Sequence, residues 1–425
     1  MTRDEELWEH LLSLQAQIDH LIERDEARLQ RIAKLERDRE VLRKRLEKAR
    51  SKSLFGRRHK RRSEEDSRPK KRDSQATART LHVPGVGSIT ETPPTRAEPR
   101  RTLSVAAVLD PISTTVFQPE FTVIPVAAKG WEETLEETRP DLLLVESAYS
   151  GADGSWATRI ARFGKPSPLL ERLVDWCRAR SIPTVFWNKE DPINFDWFIS
   201  SASLFDYVFT VDSDQILRYR ETLGHNNVGL LPFFAQPAIH FPGPDAARTG
   251  NVAFAGSYFA AKHPERREQI GYVLGPARRF GLDIFDRHAD TSDERFLWPE
   301  EFRPHIRGGL TYLQTVEAYR RYRVFLNVNT VTASPTMCAR RVFELAACGT
   351  PILSGPSLAL EPLAREGAIA ISHSEQETET WLDRLLGDAD VRREMAERAR
   401  RWVLEGNTAS DRVDQILEAL GGRSA

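Results

Sequence analysis

The chain of 425 residues is 40% hydrophobic and 29% charged, with a formal net charge of -1 at pH 7, and this length suits two domains with accessory segments. Its three cysteines include no CxxC pair, which argues against a disulfide framework and against a structural zinc site. The sequence contains no run of 18 apolar residues and no secretory signal, so we expect a cytoplasmic protein without a membrane span.

Positive charge is concentrated in the first quarter of the chain. Residues 1–101 carry 26 Lys and Arg against 18 Asp and Glu, whereas the remainder carries 35 against 44. A nucleic-acid-binding protein needs basic patches on its folded part. Because the later part of this chain has an acidic balance, we predict no specific nucleic-acid partner.

The first predicted element is a coiled-coil helix in residues 1–50. From residue 4 onward this segment is highly charged and nearly free of Gly and Pro, and it places Leu, Ile or Ala at alternating three- and four-residue spacing. That spacing favours a coiled coil over a solitary solvated helix, which would gain little from helix propensity alone. We therefore expect homo-oligomerisation through residues 1–50, as a parallel dimer.

Residues 51–102 are predicted to be a disordered linker, because they are charged first and rich in proline later. Lys and Arg cluster within residues 57–72. Such a cluster predicts weak contact with an anionic membrane surface, to which each basic residue contributes about 1 kcal/mol at best. That contact would hold the protein at the inner face of the membrane, whereas a solvated spacer explains the cluster as well.

From residue 103 onward, apolar strands alternate with helical stretches. This alternation predicts an α/β protein with doubly wound, mainly parallel sheets. A stretch rich in Pro and Gly at residues 242–249 divides the series into a domain of residues 103–243 and a domain of residues 244–425. We predict two Rossmann-like domains that face each other across a cleft, the second with closing helices at its end.

The segment WNKEDP, residues 187–192, ends a predicted strand of the first domain with a lysine and two carboxylates. The carboxyl ends of parallel strands face the ligand-binding crevice in such folds. Glu190 or Asp191 is therefore a candidate general base, or a candidate hydrogen-bonding group, for a ligand in that crevice. Capping of the next helix by Asp191 is the structural alternative.

The triplet Asp212-Ser213-Asp214 has the form of a DxD metal motif. Because it stands between a predicted strand and a predicted helix, N-capping by Ser213 or Asp214 explains it better. No other cluster of His, Cys or carboxylates has the spacing of metal ligands. We predict that the protein needs no metal and no cofactor.

The second domain is predicted to bind a nucleotide diphosphate. Gly256 and Ser257 follow the strand NVAFA as a turn of small residues that lets backbone N–H groups approach a phosphate. Residues 327–355, NVNTVTASPTMCARRVFELAACGTPILSG, then read as a strand, a loop, a helix and a second strand. Ser334 and Thr336 are candidate N-caps of this helix.

The start of this helix combines several groups suited to a nucleotide. Residues 336–338 offer free backbone N–H groups and the positive end of the helix dipole. Arg340 and Arg341 follow in the first turns, and Glu344 can accept hydrogen bonds from a ribose diol. The predicted nucleotide-binding residues are Gly256, Ser257, Thr336, Met337, Cys338, Arg340, Arg341 and Glu344.

The stretch RRVFELAACGTP, residues 340–351, resembles the C-terminal nucleotide-sugar segment of GT-B glycosyltransferases. With the preceding SPTM and the paired arginines, it is similar to the branch related to spore maturation protein CgeB, and WNKEDP resembles a recurring segment of that branch. The resemblance covers roughly residues 103–405 and implies the GT-B fold. It matches Glu344 to the glutamate that binds the ribose, whereas Thr336 stands where many retaining members carry another glutamate.

The resemblance implies a metal-independent, hexosyltransferase-type enzyme of cell-envelope or other glycan biosynthesis. It would move a sugar from a nucleotide-diphosphate sugar to a hydroxyl acceptor. Arg341 would neutralise the leaving diphosphate, and Glu190 or Asp191 would act on the acceptor. The alternatives are an inactive binding or scaffold protein, which the absence of a glutamate at position 336 permits, and a nucleotide-sugar epimerase.

Overall fold

The computed structural model describes residues 80–96 and 98–421. Two six-stranded parallel sheets with buried side chains on both faces form two lobes. This architecture confirms the predicted α/β class with two Rossmann-like domains. The predicted coiled coil of residues 1–50 and the basic cluster of residues 57–72 lie outside the described residues.

A short antiparallel hairpin precedes the first lobe, in which β1 (Leu81–Val83) pairs with β2 (Gly87–Ile89). Val83 and Ile89 are fully buried, and they belong to a core cluster that includes residues of both sheets. The prediction of a disordered linker up to residue 102 is therefore wrong for this segment, because its apolar side chains find a place in the core.

The sheet of the first lobe reverses its strand order once. Its strands are β3 (Ser104–Val108), β4 (Thr122–Pro125), β5 (Leu142–Glu146), β6 (Thr184–Asn188), β7 (Tyr207–Thr210) and β8 (Val228–Leu230). Their spatial order is β4-β3-β5-β6-β7-β8, all parallel. Every residue of β5 and β6 is buried, as expected for strands covered on both faces. The order reverses between β3 and β5.

Five helices connect these strands. They are α1 (Pro111–Phe117), α2 (Trp131–Thr138), α3 (Pro168–Arg178), α4 (Phe195–Ala202) and α5 (Gln215–Leu223). Asp110 caps α1 by accepting from the Ser113 N–H, and Ser167 caps α3, each followed by a proline that suits the first helical position. The side chain of Asp110 is thereby held at the carboxyl end of β3.

The sheet of the second lobe has the strand order of the dinucleotide-binding fold. Its strands are β9 (Gly250–Ala255), β10 (Leu282–Phe285), β11 (Ile306–Gly308), β12 (Tyr322–Asn327), β13 (Ile352–Ser354) and β14 (Ala370–Ile371). They are parallel in the order β11-β10-β9-β12-β13-β14. The order reverses between β9 and β12, and ligands bind at such a reversal in open α/β sheets.

The helices of the second half of the chain are α6 (Pro264–Gln269), α7 (Tyr312–Arg321), α8 (Arg340–Ala347), α9 (Glu361–Arg365), α10 (Glu375–Gly387), α11 (Ala389–Leu404) and α12 (Ala409–Ala419). Helix α6 continues through a π-helical turn at Ile270–Leu274 and short helical turns at Gly275–Ala277 and Arg278–Phe280. The last three helices, α10 to α12, follow one another without an intervening strand. Short 3₁₀ turns lie at Asp245–Ala247, Glu294–Phe296, Glu300–His305 and Leu358–Leu360. Within the described part of the chain, no helix is both long and apolar enough to cross a bilayer.

The last helix, α12, packs against the first half of the chain. Arg412 donates to the carbonyls of Pro232 (3.1 Å) and Phe233 (3.3 Å). Arg101 pairs with Asp414 at 2.7 Å. The final closing helix is therefore shared between the two lobes rather than belonging only to the second domain.

Gly250 at the start of β9 provides a test of how tightly the second lobe is packed. A Cβ at this position would lie 2.4 Å from Cδ1 of Tyr322, whose ring is fully buried and whose hydroxyl donates to Asp283 at 2.7 Å. We expect Gly250→Ala to lower the free energy of unfolding by about 1–3 kcal/mol, because the ring must move. Urea unfolding would measure this change. The control is Gly271→Ala, a helical position with no atom within 4 Å of the added Cβ, and equal unfolding free energies for the two variants would contradict the prediction.

Candidate active site

The carboxyl edge of the second sheet carries arginines with unused hydrogen-bond donors. Arg266 Nη1 donates to Val328 O (3.0 Å), and its Nη2 lies 3.4 Å from Ser257 O. Arg266 Nε, Arg341 Nε and Ser257 Oγ are buried, and none has a hydrogen-bond partner among the described residues. These donors lie beside the reversal between β9 and β12, so they are available to a ligand bound there.

The charges around Arg266 favour an anionic ligand. Burial, together with the neighbouring cations Arg341 and Arg287, lowers the pKa of Arg266 to about 9. Arg287 is exposed, and the guanidinium of Arg341 lies 5.3 Å from the ring centre of Phe254. A phosphate group bound here would relieve the repulsion and accept charge-assisted hydrogen bonds.

Gly256 allows Arg341 to approach the end of β9. A Cβ at this position would lie 2.9 Å from the ring of Phe254 and 3.3 Å from Arg341 Nη2. The backbone N–H of Gly256 donates to Phe285 O at 2.9 Å. The prediction that this amide approaches a phosphate is therefore wrong, because the sheet uses it, and the glycine instead leaves space for the guanidinium.

Two buried asparagines at and after the end of β12 help to position Arg341. Asn327 Oδ1 lies 3.5 Å from Arg341 Nη1, while its Nδ2 donates to Asn329 Oδ1 and Ser354 Oγ, each at 3.0 Å. Asn329 in turn donates to Gly355 O at 2.8 Å. The amide of Asn327 is thus held in one orientation with its oxygen toward Arg341.

Arg340 extends to the first lobe instead. Its Nη2 lies 3.4 Å from Ser113 Oγ, and its guanidinium lies 5.0 Å from the ring centre of Phe233. Burial acts to lower the pKa of Arg340, but the carboxylates of Asp110 and Glu344 raise it overall. The two adjacent arginines therefore serve opposite sides of the cleft.

Three charged side chains meet at the reversal of the first sheet. Asp110 follows β3, Glu146 ends β5, and Lys189 follows β6. Lys189 Nζ pairs with Asp110 and with Glu146 Oε1 (2.9 Å). Burial opposes the ionisation of Asp110, but Lys189 and Arg340 lower its pKa to about 2. Asp110 is therefore an ionised partner for cations and a poor general base at neutral pH.

Glu190 is the accessible carboxylate of the WNKEDP segment. It is half-buried, and its Oε2 accepts from Asn194 Nδ2 at 2.9 Å and lies 3.4 Å from the Tyr149 hydroxyl. Burial and then the charge of Glu190 raise the pKa of Tyr149 to about 12, so this hydroxyl keeps its proton. Glu190 thus has a placement compatible with the predicted contact to an acceptor hydroxyl.

Asp191 is fully buried and does not face the cleft. Its Oδ1 accepts from Asn188 Nδ2 (2.8 Å) and its Oδ2 from Thr210 Oγ1 (2.6 Å). The following helix has Asn194 at its N-cap position, without a side-chain hydrogen bond. Both predicted roles of Asp191, general base and helix cap, are therefore wrong, because the side chain joins the ends of β6 and β7.

The burial of Asp191 predicts a pH-dependent stability. Burial raises its pKa from an ordinary 3.8 to about 7. With a raised pKa in the folded state, the contribution of this group to stability is complete below about pH 4 and is lost as the pH rises through 7. We expect the free energy of unfolding of the wild type to fall relative to that of Asp191→Asn over this range, by about 1.4 kcal/mol per unit of pKa difference. Urea unfolding at several pH values measures this, and parallel curves for the two proteins would contradict it.

The loop before α8 joins the two lobes. Ser334 Oγ donates to Asp212 Oδ1 at 2.7 Å. Thr336 Oγ1 donates to Val211 O at 3.0 Å. Because Val211 and Asp212 follow β7, these side chains bind the loop to the carboxyl edge of the first sheet.

Because of this loop, helix α8 begins later in the chain than predicted. Helix α8 begins at Arg340 without a side-chain cap, and the N–H groups of Thr336 and Met337 donate to Ser334 Oγ (3.3 and 2.9 Å). The predicted helix start near Thr336 is therefore wrong, and the amides of Thr336 and Met337 are already used within the loop. Cys338 is buried, and burial raises the pKa of its thiol to about 12.

Glu344 is buried beneath the site. Its Oε1 accepts from the Tyr312 hydroxyl (2.9 Å) and its Oε2 from the Tyr319 hydroxyl (3.0 Å). His240 Nε2 lies 2.9 Å from the Tyr312 hydroxyl, and its Nδ1 accepts from the backbone N–H of Gln236. The ribose contact predicted for Glu344 is not available in this arrangement, because the carboxylate is enclosed and bound by the two tyrosines.

The Asp212-Ser213-Asp214 triplet does not cap its helix as predicted. Asp214 occupies the N-cap position of α5 without a side-chain hydrogen bond, whereas Asp212 Oδ1 accepts from the Asp214 N–H at 3.2 Å. Across residues 80–96 and 98–421, no group of three or more His, Cys, Asp or Glu is arranged to hold a metal ion.

Four residues of the cleft are absent from the predicted site, namely Asp110, Glu146, Lys189 and Arg266. Asp110, Glu146 and Lys189 stand at or directly after the end of a buried strand, and this position is a signal that the sequence does contain. Arg266 is one of two adjacent arginines in α6, and no local pattern distinguishes it from the other.

Comparison with known protein families finds one match in the second half of the chain. Residues 273–418 match a family model described as glycosyl transferase-like. The chain is also 23% identical over 186 residues to spore protein CgeB of Bacillus subtilis (strain 168), an alignment that covers 41% of this chain and 56% of that protein. The chain therefore aligns with little more than half the length of this curated relative. These matches confirm the resemblance to glycosyltransferase-like proteins of the CgeB type.

Several solved structures are similar to this chain at low sequence identity. Anabaena Alr3699/HepE in complex with UDP and glucose is 12% identical, with a TM-score of 0.47, 75% of this chain and 99% of that chain covered. WaaG, a glycosyltransferase involved in lipopolysaccharide biosynthesis, is 12% identical with a TM-score of 0.43 and covers 71% of this chain and 87% of that chain.

Proposed function

We propose that this protein transfers a sugar from a nucleotide-diphosphate sugar to a hydroxyl group of an acceptor. The observation that carries this proposal is the set of buried, unpaired donors on Arg266, Arg341 and Ser257 at the strand reversal of the second sheet. A buried donor without a partner costs free energy, so its retention at a ligand-binding edge indicates a ligand that satisfies it. The matching ligand is an anion with several oxygens.

A departing nucleoside diphosphate fits this site chemically. Negative charge develops on the diphosphate as the sugar–oxygen bond breaks, and guanidinium groups fixed in advance stabilise that charge without reorganisation. Arg266 and Arg341 would hold the phosphates, and Arg340 would balance charge on the side of the first lobe. These cations perform the role that a metal ion performs in other transferases, so we infer that no metal or cofactor is needed.

The acceptor would enter from the first lobe. Glu190 is the candidate to accept a hydrogen bond or a proton from the attacking hydroxyl, whereas Asp191 is excluded by burial and Asp110 by its ion pair with Lys189. A base must come within about 2.6–3.2 Å of the proton that it removes. We propose that the protein works in the cytoplasm and that its product contributes to glycans of the cell envelope.

The experiment measures donor binding and turnover separately. Purified protein is screened for thermal stabilisation by UDP-, GDP- and dTDP-sugars, where a ligand at 100 times its Kd adds about 2.7 kcal/mol. Release of the nucleotide is then followed with acceptors present and absent, with and without EDTA. We expect stabilisation by one nucleotide class and nucleotide release that survives EDTA.

Other outcomes identify other functions. Binding without any release of nucleotide would support an inactive binding or scaffold protein. Interconversion of the sugar without an acceptor would support an epimerase. Loss of activity in EDTA that a divalent ion restores would contradict the proposed metal independence.

A further inference from the structure

A patch of exposed apolar side chains lies at the carboxyl edge of the first sheet. Its members, called the aromatic patch here, are Phe163 (64% exposed), Tyr149 (53%), Ile193 (49%) and Trp197 (49%). They make up four of the eight exposed large apolar side chains in the described part of the chain. Exposed apolar residues are normally scattered singly, so this concentration marks a binding surface.

The aromatic patch is rigidly held. The rings of Phe163 and Trp197 meet edge to face with their centres 5.9 Å apart. The Arg162 N–H donates to Trp197 O at 2.7 Å, and the Tyr149 ring lies 5.5 Å from the buried ring of Phe198. Rings that are fixed before binding lose little conformational entropy when a ligand arrives.

Polar groups that suit hydroxyls stand beside these rings. Glu190 Oε2 accepts from Asn194 Nδ2 at 2.9 Å and lies 3.4 Å from the Tyr149 hydroxyl. A carboxylate, an amide and a phenol next to flat apolar faces match a pyranose sugar, which presents C–H groups on its faces and hydroxyls around its rim. A lipid chain offers no hydrogen-bonding groups to the remaining donors and acceptors of these side chains.

We propose that the aromatic patch binds a carbohydrate chain, so that the acceptor hydroxyl belongs to a sugar whose ring packs on Trp197 and Phe163. This inference rests on the proposed function for its catalytic role. Glu190 is the direct neighbour of Lys189, which pairs with Asp110, and the charge of Asp110 acts on Arg340. The aromatic patch therefore begins beside the group of charges that faces the donor side.

A membrane surface is the competing occupant. The basic residues Arg162 and Lys165 flank Phe163 in the chain, as expected of a surface that meets anionic lipid. Asp196 is already paired with Arg218 at 2.8 Å, but Glu190, on the Trp197 side of the patch, has no cationic partner among the described residues and would be repelled by such a surface. The Glu190 carboxylate therefore favours the carbohydrate.

The first test measures glycan binding by the full-length protein. Wild type, Trp197→Ala and Phe163→Ala are applied to an array of oligosaccharides built from hexoses, N-acetylhexosamines and deoxyhexoses. The control is Leu404→Ala, an exposed apolar position on α11. We expect the wild type and the control to bind a shared set of glycans and both patch variants to lose about tenfold in affinity. The absence of any bound glycan, or patch variants that bind like the wild type, would overturn the proposal.

The second test separates this proposal from the proposed function. With an array-positive glycan as the acceptor, we expect Trp197→Ala to raise the acceptor KM about tenfold while the Kd for the nucleotide remains within twofold. Trp197-dependent glycan binding without turnover would leave the aromatic patch in place and remove the transferase. Turnover by Trp197→Ala with an unchanged acceptor KM would support the transferase and overturn the role of the aromatic patch. Trp197-dependent flotation with phosphatidylcholine–phosphatidylglycerol vesicles in the absence of glycan binding would assign the patch to a membrane and overturn the proposal.

Discussion

Replacing Arg341 with alanine is expected to lower kcat/KM by about 100- to 1000-fold, the effect typical of removing one fixed donor to a developing oxyanion. The side chain lies beside Arg266 at the reversal of the second sheet, and its Nε is buried without a partner in the described structure. Under the proposed function, loss of the guanidinium leaves less charge to stabilise the departing diphosphate. Steady-state kinetics and thermal stabilisation by the nucleotide would measure the two consequences.

Two further variants make the result specific to the site. Arg341→Lys retains the positive charge but not the planar fork, so an intermediate loss is expected. Arg393→Ala removes an arginine with a 57% exposed side chain that pairs with Asp390, and activity should remain near that of the wild type. If Arg341→Ala turned over its donor like the wild type, the donor site would have to be placed elsewhere.

Replacing Lys189 with methionine is expected to lower the free energy of unfolding by about 3–5 kcal/mol at neutral pH. The cause is that Glu146 is fully buried and Asp110 is partly buried, and the variant removes the cation that both carboxylates share. Glu146 Oε2 already has no hydrogen-bond partner among the described residues. Urea unfolding at neutral pH would measure the loss, with the exposed Lys165→Met as the control.

The pH dependence of this variant follows from the ion pair. The pKa of Asp110 is lowered to about 2 in the folded protein, so its stabilising contribution is present above about 3.8 and is lost as the pH falls through 2. The stability difference between wild type and Lys189→Met should therefore be largest at neutral pH and shrink in acid. Adding Glu146→Gln to Lys189→Met should recover part of the loss, since the enclosed charge is then gone. A variant as stable as the wild type at neutral pH would show that the ion pair contributes nothing net.

The arrangement of charged side chains in the cleft depends on contacts that local sequence patterns do not report. Arg340 and Arg341 are adjacent in the sequence, yet one reaches Ser113 in the first lobe and the other lies against Gly256 in the second. Successive residues of a helix point in different directions, and which direction faces which lobe depends on how the sheets are placed. The divergence of the pair is therefore a property of the assembled cleft.

The adjacent carboxylates Glu190 and Asp191 show the same limit. Their position at a strand end correctly places both at the carboxyl edge of the first sheet. Which of them reaches solvent depends on Thr210 in the neighbouring strand, because the Thr210 hydroxyl donates a hydrogen bond to Asp191. Strand neighbours are distant in sequence, so a pattern read along the chain does not reveal that one carboxylate is enclosed.

Fold class was readable from the chain alone, because buried parallel strands require continuous apolar runs. The sequence also indicates that the residues following those strands gather at one sheet edge, where we propose the site. The segment of residues 340–351 supplied the relation to glycosyltransferase-like proteins. Tertiary structure alone decided that Ser334 and Thr336 bind the first lobe, that tyrosines enclose Glu344, and that Arg266 joins Arg341. Each of these outcomes is a competition between hydrogen-bonding or charged partners far apart in sequence, and burial decides which partner wins.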